Sequence, residues 1–119
     1  MSKIKKKIQR FLKKKALFRG INGQRDLILP IKNSPGRFVY FCPGCNDYHV
    51  INTDCKRQWP CHTLTGSLNN PTIRASVLSI GDSKIGKPHC HSYITNGNIK
   101  FLNDSTHQLS GKTIAMKPL

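Results

Sequence analysis

The residues best suited to chemistry are five cysteines (Cys42, Cys45, Cys55, Cys61, Cys90) and five histidines (His49, His62, His89, His91, His107) in a chain of 119 residues. Cys42-Pro43-Gly44-Cys45 has the form of a zinc knuckle. Two thiolates separated by a tight Pro-Gly turn can reach one tetrahedral ion at about 2.3 Å each. A redox C-x-x-C is instead expected to open a helix in a βαβ setting, which this sequence lacks. Two more ligands are needed. His49 follows the knuckle, His89-Cys90-His91 precedes a hairpin, and His107 falls on a turn after that hairpin. Folding the hairpin back brings residues 103–107 towards 90–91. The preferred ligand set is Cys42, Cys45, Cys90 and His107, with His49 and His91 in reserve for the fourth position, and the ion expected is Zn2+.

The remaining sulfur and nitrogen groups are less informative. Cys55, Cys61 and His62 lack knuckle spacing and read as loop residues. An odd cysteine count with no secretory leader argues against a disulfide framework. Cys90 between two histidines suggests a thiol–imidazole pair, but neighbours on a strand point to opposite faces. All five acids are aspartate (Asp26, Asp47, Asp54, Asp82, Asp104) and there is no glutamate. The H-E-x-x-H protease helix and the H-x-E deaminase signature are therefore both excluded.

The elements that must position these groups are short strands. Arg37–Cys42 is aromatic and β-branched, and Tyr48–Thr53 returns from the knuckle as its hairpin partner. Thr72–Ile80 is a third strand. Asn96-Gly97 between Tyr93–Thr95 and Asn98–Leu102 is a type I′ hairpin turn. Asp104–Gly111 reads as one helical turn, and Thr113–Met116 as an edge strand. Trp59 reads as a core anchor beneath a long loop over residues 54–71. The expected fold is mainly β (small α+β at most), made of short antiparallel hairpins stapled by the zinc knuckle.

Charge divides the chain. Of 20 Lys+Arg, ten lie in residues 1–25, which contain no acid; the other ten face all five acids over 26–119. Ile4, Ile8, Phe11 and Leu12 recur on one face of a helix. The sequence thus predicts a basic amphipathic arm over 1–25 and a zinc-stabilised domain over 26–119. Lys3, Lys5, Lys6, Lys7, Arg10, Lys13, Lys14, Lys15 and Arg19 are the candidate contacts to a polyanion. That partner is non-specific nucleic acid, an acidic host or virion protein, or an anionic membrane surface. No apolar run is long enough for a membrane span.

The body resembles a small domain-of-unknown-function family encoded largely by bacteriophages and prophages, whose members often carry the label "ammonia monooxygenase". The resemblance rests on Phe41-Cys42-Pro43-Gly44-Cys45, His49, Trp59, Pro71-Thr72 and Ser76-Val77-Leu78. It continues through Cys90-His91-Ser92-Tyr93-Ile94, Gly97, Ile99, Phe101-Leu102, Asp104, Thr106-His107, Leu109 and Gly111. Ser105 stands where that family usually has cysteine. The resemblance implies a phage origin and a zinc-stabilised fold, in a bacterial host's cytoplasm or within the virion. It does not imply an oxygenase. Taken together, the sequence favours a non-enzymatic zinc protein with a nucleic-acid-binding or acidic-surface-binding arm. A metal-dependent hydrolase or nuclease and a capsid-associated component are the alternatives.

Overall fold

The computed structural model describes residues 25–119. The predicted basic helix and its contacts from Lys3 to Arg19 lie outside the described residues. The described chain is mainly β. Its strands are β1 (Ile28–Pro30), β2 (Arg37–Cys42), β3 (Asp47–Asn52), β4 (Thr63–Ser67), β5 (Asn70–Ser79), β6 (Cys90–Thr95), β7 (Asn98–Phe101) and β8 (Thr113–Ala115), with a 3-10 turn at Ser83–Ile85. Among the described residues no helix is long and apolar enough to cross a membrane.

Two antiparallel sheets share one core: β1-β2-β3, and the meander β4-β5-β6-β7-β8. Alternation makes each strand two-faced. In β6 the even residues Cys90, Ser92 and Ile94 are buried, while His91, Tyr93 and Thr95 lie on the outer face. Tyr40, Cys42 and Ile51 of the first sheet pack with Ile73, Val77, Cys90, Ile94, Ile99 and Phe101 of the second. The Asn96-Gly97 hairpin has positive φ at both positions (47° and 75°), as a type I′ turn requires.

Several expectations from sequence are corrected. Thr63–Ser67 is a strand, not loop; its pattern Thr-Leu-Thr-Gly-Ser hides it, because an exposed edge strand need bury almost nothing. Residues 104–111 form turns rather than a helical turn, held by Ser110 N–H to the His107 carbonyl and Lys112 N–H to the Leu109 carbonyl. Trp59 is 74% exposed and anchors no core. Cys55 and Cys61 form a disulfide. The odd count of five thus divides into one disulfide and three free thiols, Cys42, Cys45 and Cys90.

One irregularity shapes the outer face. β5 pairs with β6 as Ile73↔Ile94 and then Val77↔Ser92, so three residues of β5 stand against one of β6. This bulge holds Ala75 at φ 63°, a left-handed conformation that an alanine rarely adopts. Bulges of this kind re-aim a side chain, and the residue re-aimed here is Ser76.

Candidate functional site

On the outer face of the larger sheet, three side chains from three segments form a hydrogen-bonded chain. His91 Nε2 lies 2.8 Å from Ser76 Oγ, and His91 Nδ1 lies 3.0 Å from Asp104 Oδ2. A carboxylate can only accept, so Nδ1 carries the proton that Asp104 receives, and Nε2 is left to accept the Ser76 hydroxyl. Each member is fixed by its backbone. The bulge presents Ser76, β6 presents His91, and the loop after β7 presents Asp104. That loop is clamped along β6: Leu102 N–H donates to the His91 carbonyl at 2.8 Å, and Thr106 N–H to the His89 carbonyl at 2.9 Å. Between them the buried Ser105 hydroxyl accepts from His91 N–H at 3.0 Å and donates to the His91 carbonyl at 3.1 Å. A hydroxyl whose proton is held by an imidazole, itself oriented by a carboxylate, is the arrangement that activates a serine nucleophile.

The opposite, inward side of the same strand meets a second constellation. Single ligand atoms of Cys42, Cys45, Cys90 and His107 all lie within 4.8 Å of one another. Cys42 and Cys45 flank the β2–β3 turn of the small sheet, while Cys90 and His107 belong to the large one. Cys42 Sγ and Cys90 Sγ are 3.9 Å apart. Two thiolates bound to one tetrahedral ion at about 2.3 Å each stand about 3.8 Å apart, so the spacing suits a metal. His107 Nε2 is buried without a hydrogen-bond partner, an orphan that a cation would satisfy. Gly44 is required by this packing, because a Cβ there would overlap the His107 ring.

The sulfurs also show what an ion would relieve. Hydrogen bonds from Cys45 and Cys90 hold the Cys42 thiol far below its ordinary range. The Cys42 sulfur in turn pushes Cys45 up to about 12, and raises Cys90 well above the usual thiol range. One negative charge forms easily; the second and third are opposed by the first. A divalent cation removes that opposition. The Cys3His cluster can therefore hold a metal ion.

A family model described as bacterial ubiquitination-like system serine protease (BubE) matches residues 15–102. The chain belongs to the BubE family. No curated protein matches, and no solved structure matches. The span shared with the BubE model contains Ser76 and His91 and ends just short of Asp104.

Against this BubE frame the residues singled out from sequence separate into two groups. Cys42, Cys45, Cys90 and His107 come together. His49 stays outside that set of four, with its ring edge-on to Tyr40 across β2–β3. His91, held in reserve as a ligand, is not near the ion site, because it faces away from Cys90 and bonds Ser76 and Asp104. A Cys90–His91 dyad is excluded by the same alternation. The Ser76–His91–Asp104 chain is what the sequence reading missed. No short motif marks it: the partners lie 15 and 13 residues apart, and Ser76 has no G-x-S-x-G setting.

Proposed function

We propose that this chain is a serine hydrolase that cleaves acyl linkages, with Ser76 as nucleophile, His91 as general base and Asp104 as the group that orients and stabilises the imidazolium. The observation that carries the reading is the continuous hydrogen-bonded path from Ser76 Oγ through both ring nitrogens of His91 to Asp104 Oδ2. The BubE family description, a serine protease of a ubiquitination-like system, supports it independently. The same description supports as substrate a protein of such a ubiquitination-like system.

The chemistry follows from the geometry. His91 Nε2 accepts the Oγ proton as Oγ attacks the substrate carbonyl. The same proton passes to the leaving amine or alcohol as the C–N or C–O bond breaks, leaving an acyl group on Ser76. Water, deprotonated by His91, then attacks the acyl carbonyl; as the C–Oγ bond breaks, the imidazolium returns that proton to Ser76 Oγ and the acid is released. Nothing in this sequence of steps needs a glutamate, which the chain lacks.

The Cys3His cluster is assigned to a structural Zn2+, since four protein ligands close the tetrahedron and leave no position for substrate. Its role is to tie the knuckle of the small sheet to β6 and the 102–107 loop of the large sheet. The basic segment over 1–25 is read as a salt-sensitive tether for an acidic surface, supported by its ten Lys/Arg and no acid.

The test is labelling with a small fluorophosphonate, which reacts with activated serines. Mass spectrometry should place the adduct on Ser76, and His91→Ala should lower the labelling rate by at least ~100-fold. Absence of an adduct on Ser76 in folded, metal-loaded protein would overturn the assignment.

A further inference from the structure

The outer edge of β5 changes character at the nucleophile. β4 pairs with β5 only from Asn70 to Arg74. Beyond Arg74 no described strand lies on that side, so the half of β5 that carries Ser76 is itself a sheet edge. The directions of its backbone groups follow from register. His91 N–H and C=O both bond the 102–105 loop, away from β5. Leu78, directly opposite His91, is therefore in a non-hydrogen-bonded pair, and its own N–H and C=O point to the open side. Ser76 has the same parity, and its carbonyl is already occupied: His62 Nε2 lies 3.2 Å from it. The residue nearest the nucleophile whose donor and acceptor are both open is thus Leu78.

The side chains around this edge are apolar and solvent-facing. Leu78 is 52% exposed, Ile80 73% and Ile85 74%, and Tyr93 on the neighbouring strand is 45% exposed. Past the bulge at Ala75, the stretch from Val77 to Ile80 carries no proline and no charge, and an exposed apolar edge of that kind is a template for another strand.

We infer that the acyl substrate binds as an added antiparallel strand along the open edge formed by Leu78 of β5 and by Ile80 just beyond the strand's end. This rests on Ser76 being the nucleophile. An antiparallel chain running from Ile80 towards Ser76 delivers its C-terminal carbonyl to Oγ. The substrate residue exchanging both main-chain bonds with Leu78 is then two residues before the one opposite Ser76, which makes it the third residue upstream of the cleaved bond. The second residue upstream turns its N–H away from β5. Recognition by main-chain bonds tolerates varied side chains, with Leu78, Ile80 and Ile85 supplying apolar contact.

The experiment compares three acetyl-tripeptidyl aminomethylcoumarin libraries with full-length, metal-loaded protein: unmodified, N-methylated at the second residue before the coumarin, and N-methylated at the third. Fluorophosphonate labelling of Ser76 is measured in parallel, because that small reagent needs no edge. The expected result is cleavage of the unmodified library, a loss of at least tenfold on methylation of the third residue, and less than threefold on methylation of the second. Equal sensitivity at both positions, or greater loss at the second, overturns the strand-addition geometry. No cleavage of any library while Ser76 still labels also overturns it, since main-chain recognition should accept a mixed pool. Failure of labelling itself overturns the nucleophile assignment instead.

Discussion

Cys90 and His91 are consecutive on β6 and point to opposite faces of the sheet. Cys90 lies 3.9 Å from Cys42 inside the molecule, and His91 lies 2.8 Å from Ser76 outside it. The same division recurs on the loop after β7, where Asp104 reaches the outer face and His107 the inner one. The metal cluster and the serine site thus share two segments, β6 and the loop after β7, and what holds that shared part in place for one holds it for the other.

Asp104→Asn tests the outer half of this arrangement. The amide keeps the size but loses the charge that stabilises imidazolium, and it permits the wrong imidazole tautomer. A buried triad aspartate changed in this way costs ~10⁴ in kcat. The Asp104 side chain is 54% exposed, so water screens part of its field. The expected loss is therefore smaller, on the order of 10²–10³ in kcat, with KM little changed, as steady-state hydrolysis of a coumarin amide would show.

Ser105→Ala removes the hydroxyl that both accepts from and donates to the His91 backbone. The side chain is buried, so His91 N–H loses its partner at a cost of about 1–3 kcal/mol, while the His91 carbonyl keeps its bond from Leu102 N–H. A lowered melting temperature is expected. If the hydroxyl also sets the height of His91 over Ser76, the fluorophosphonate labelling rate falls as well. An unchanged rate in a destabilised protein would confine Ser105 to stability.

The metal half of the site is legible in the sequence and the serine half is not, for a physical reason. A knuckle is local: Cys42 and Cys45 are tied by one turn, so spacing alone reveals them. The fold-back of the Asn96-Gly97 hairpin extends that reading to Cys90 and His107. Ser76, His91 and Asp104 are joined only by tertiary structure, through a bulge at Ala75 and a loop clamped beside β6. Neither leaves a spacing signature. The mainly β class is readable from the alternation in Arg37–Cys42 and the Asn-Gly turn, but polar β4 is not, since an exposed edge carries little hydrophobic pattern. Cysteine parity misleads because one disulfide and three cluster thiols share a single odd total.

Metal removal should reach the serine site through the shared loop. Without a cation the three thiols cannot all ionise, as the elevation of Cys45 to about 12 shows, and the two sheets lose the tie between knuckle and β6. Because binding requires deprotonated sulfur, acid should release the ion and liberate three titratable thiols. A strong chelator at neutral pH should lower the melting temperature and abolish Ser76 labelling together. Retained labelling after complete metal loss would show that the loop holds Asp104 without it. Cobalt substitution provides the ligand check, with sulfur-to-metal absorption that Cys42→Ser diminishes.

Gly44→Ala separates metal affinity from sulfur chemistry, since it leaves all three thiols in place. The added methyl overlaps the His107 ring, so either the ring or the turn must move. Displacing one of four ligands, or the turn that holds two, should weaken metal binding by about 10–100-fold, the range typical of disturbed support around a metal. Competition with a chromophoric chelator measures that change directly. The substitution lies on the opposite side of the sheet from Ser76, so its effect on labelling should disappear at saturating metal. Impaired labelling that persists at full metal occupancy would mean that the knuckle turn supports the Asp104 loop by packing rather than through the ion.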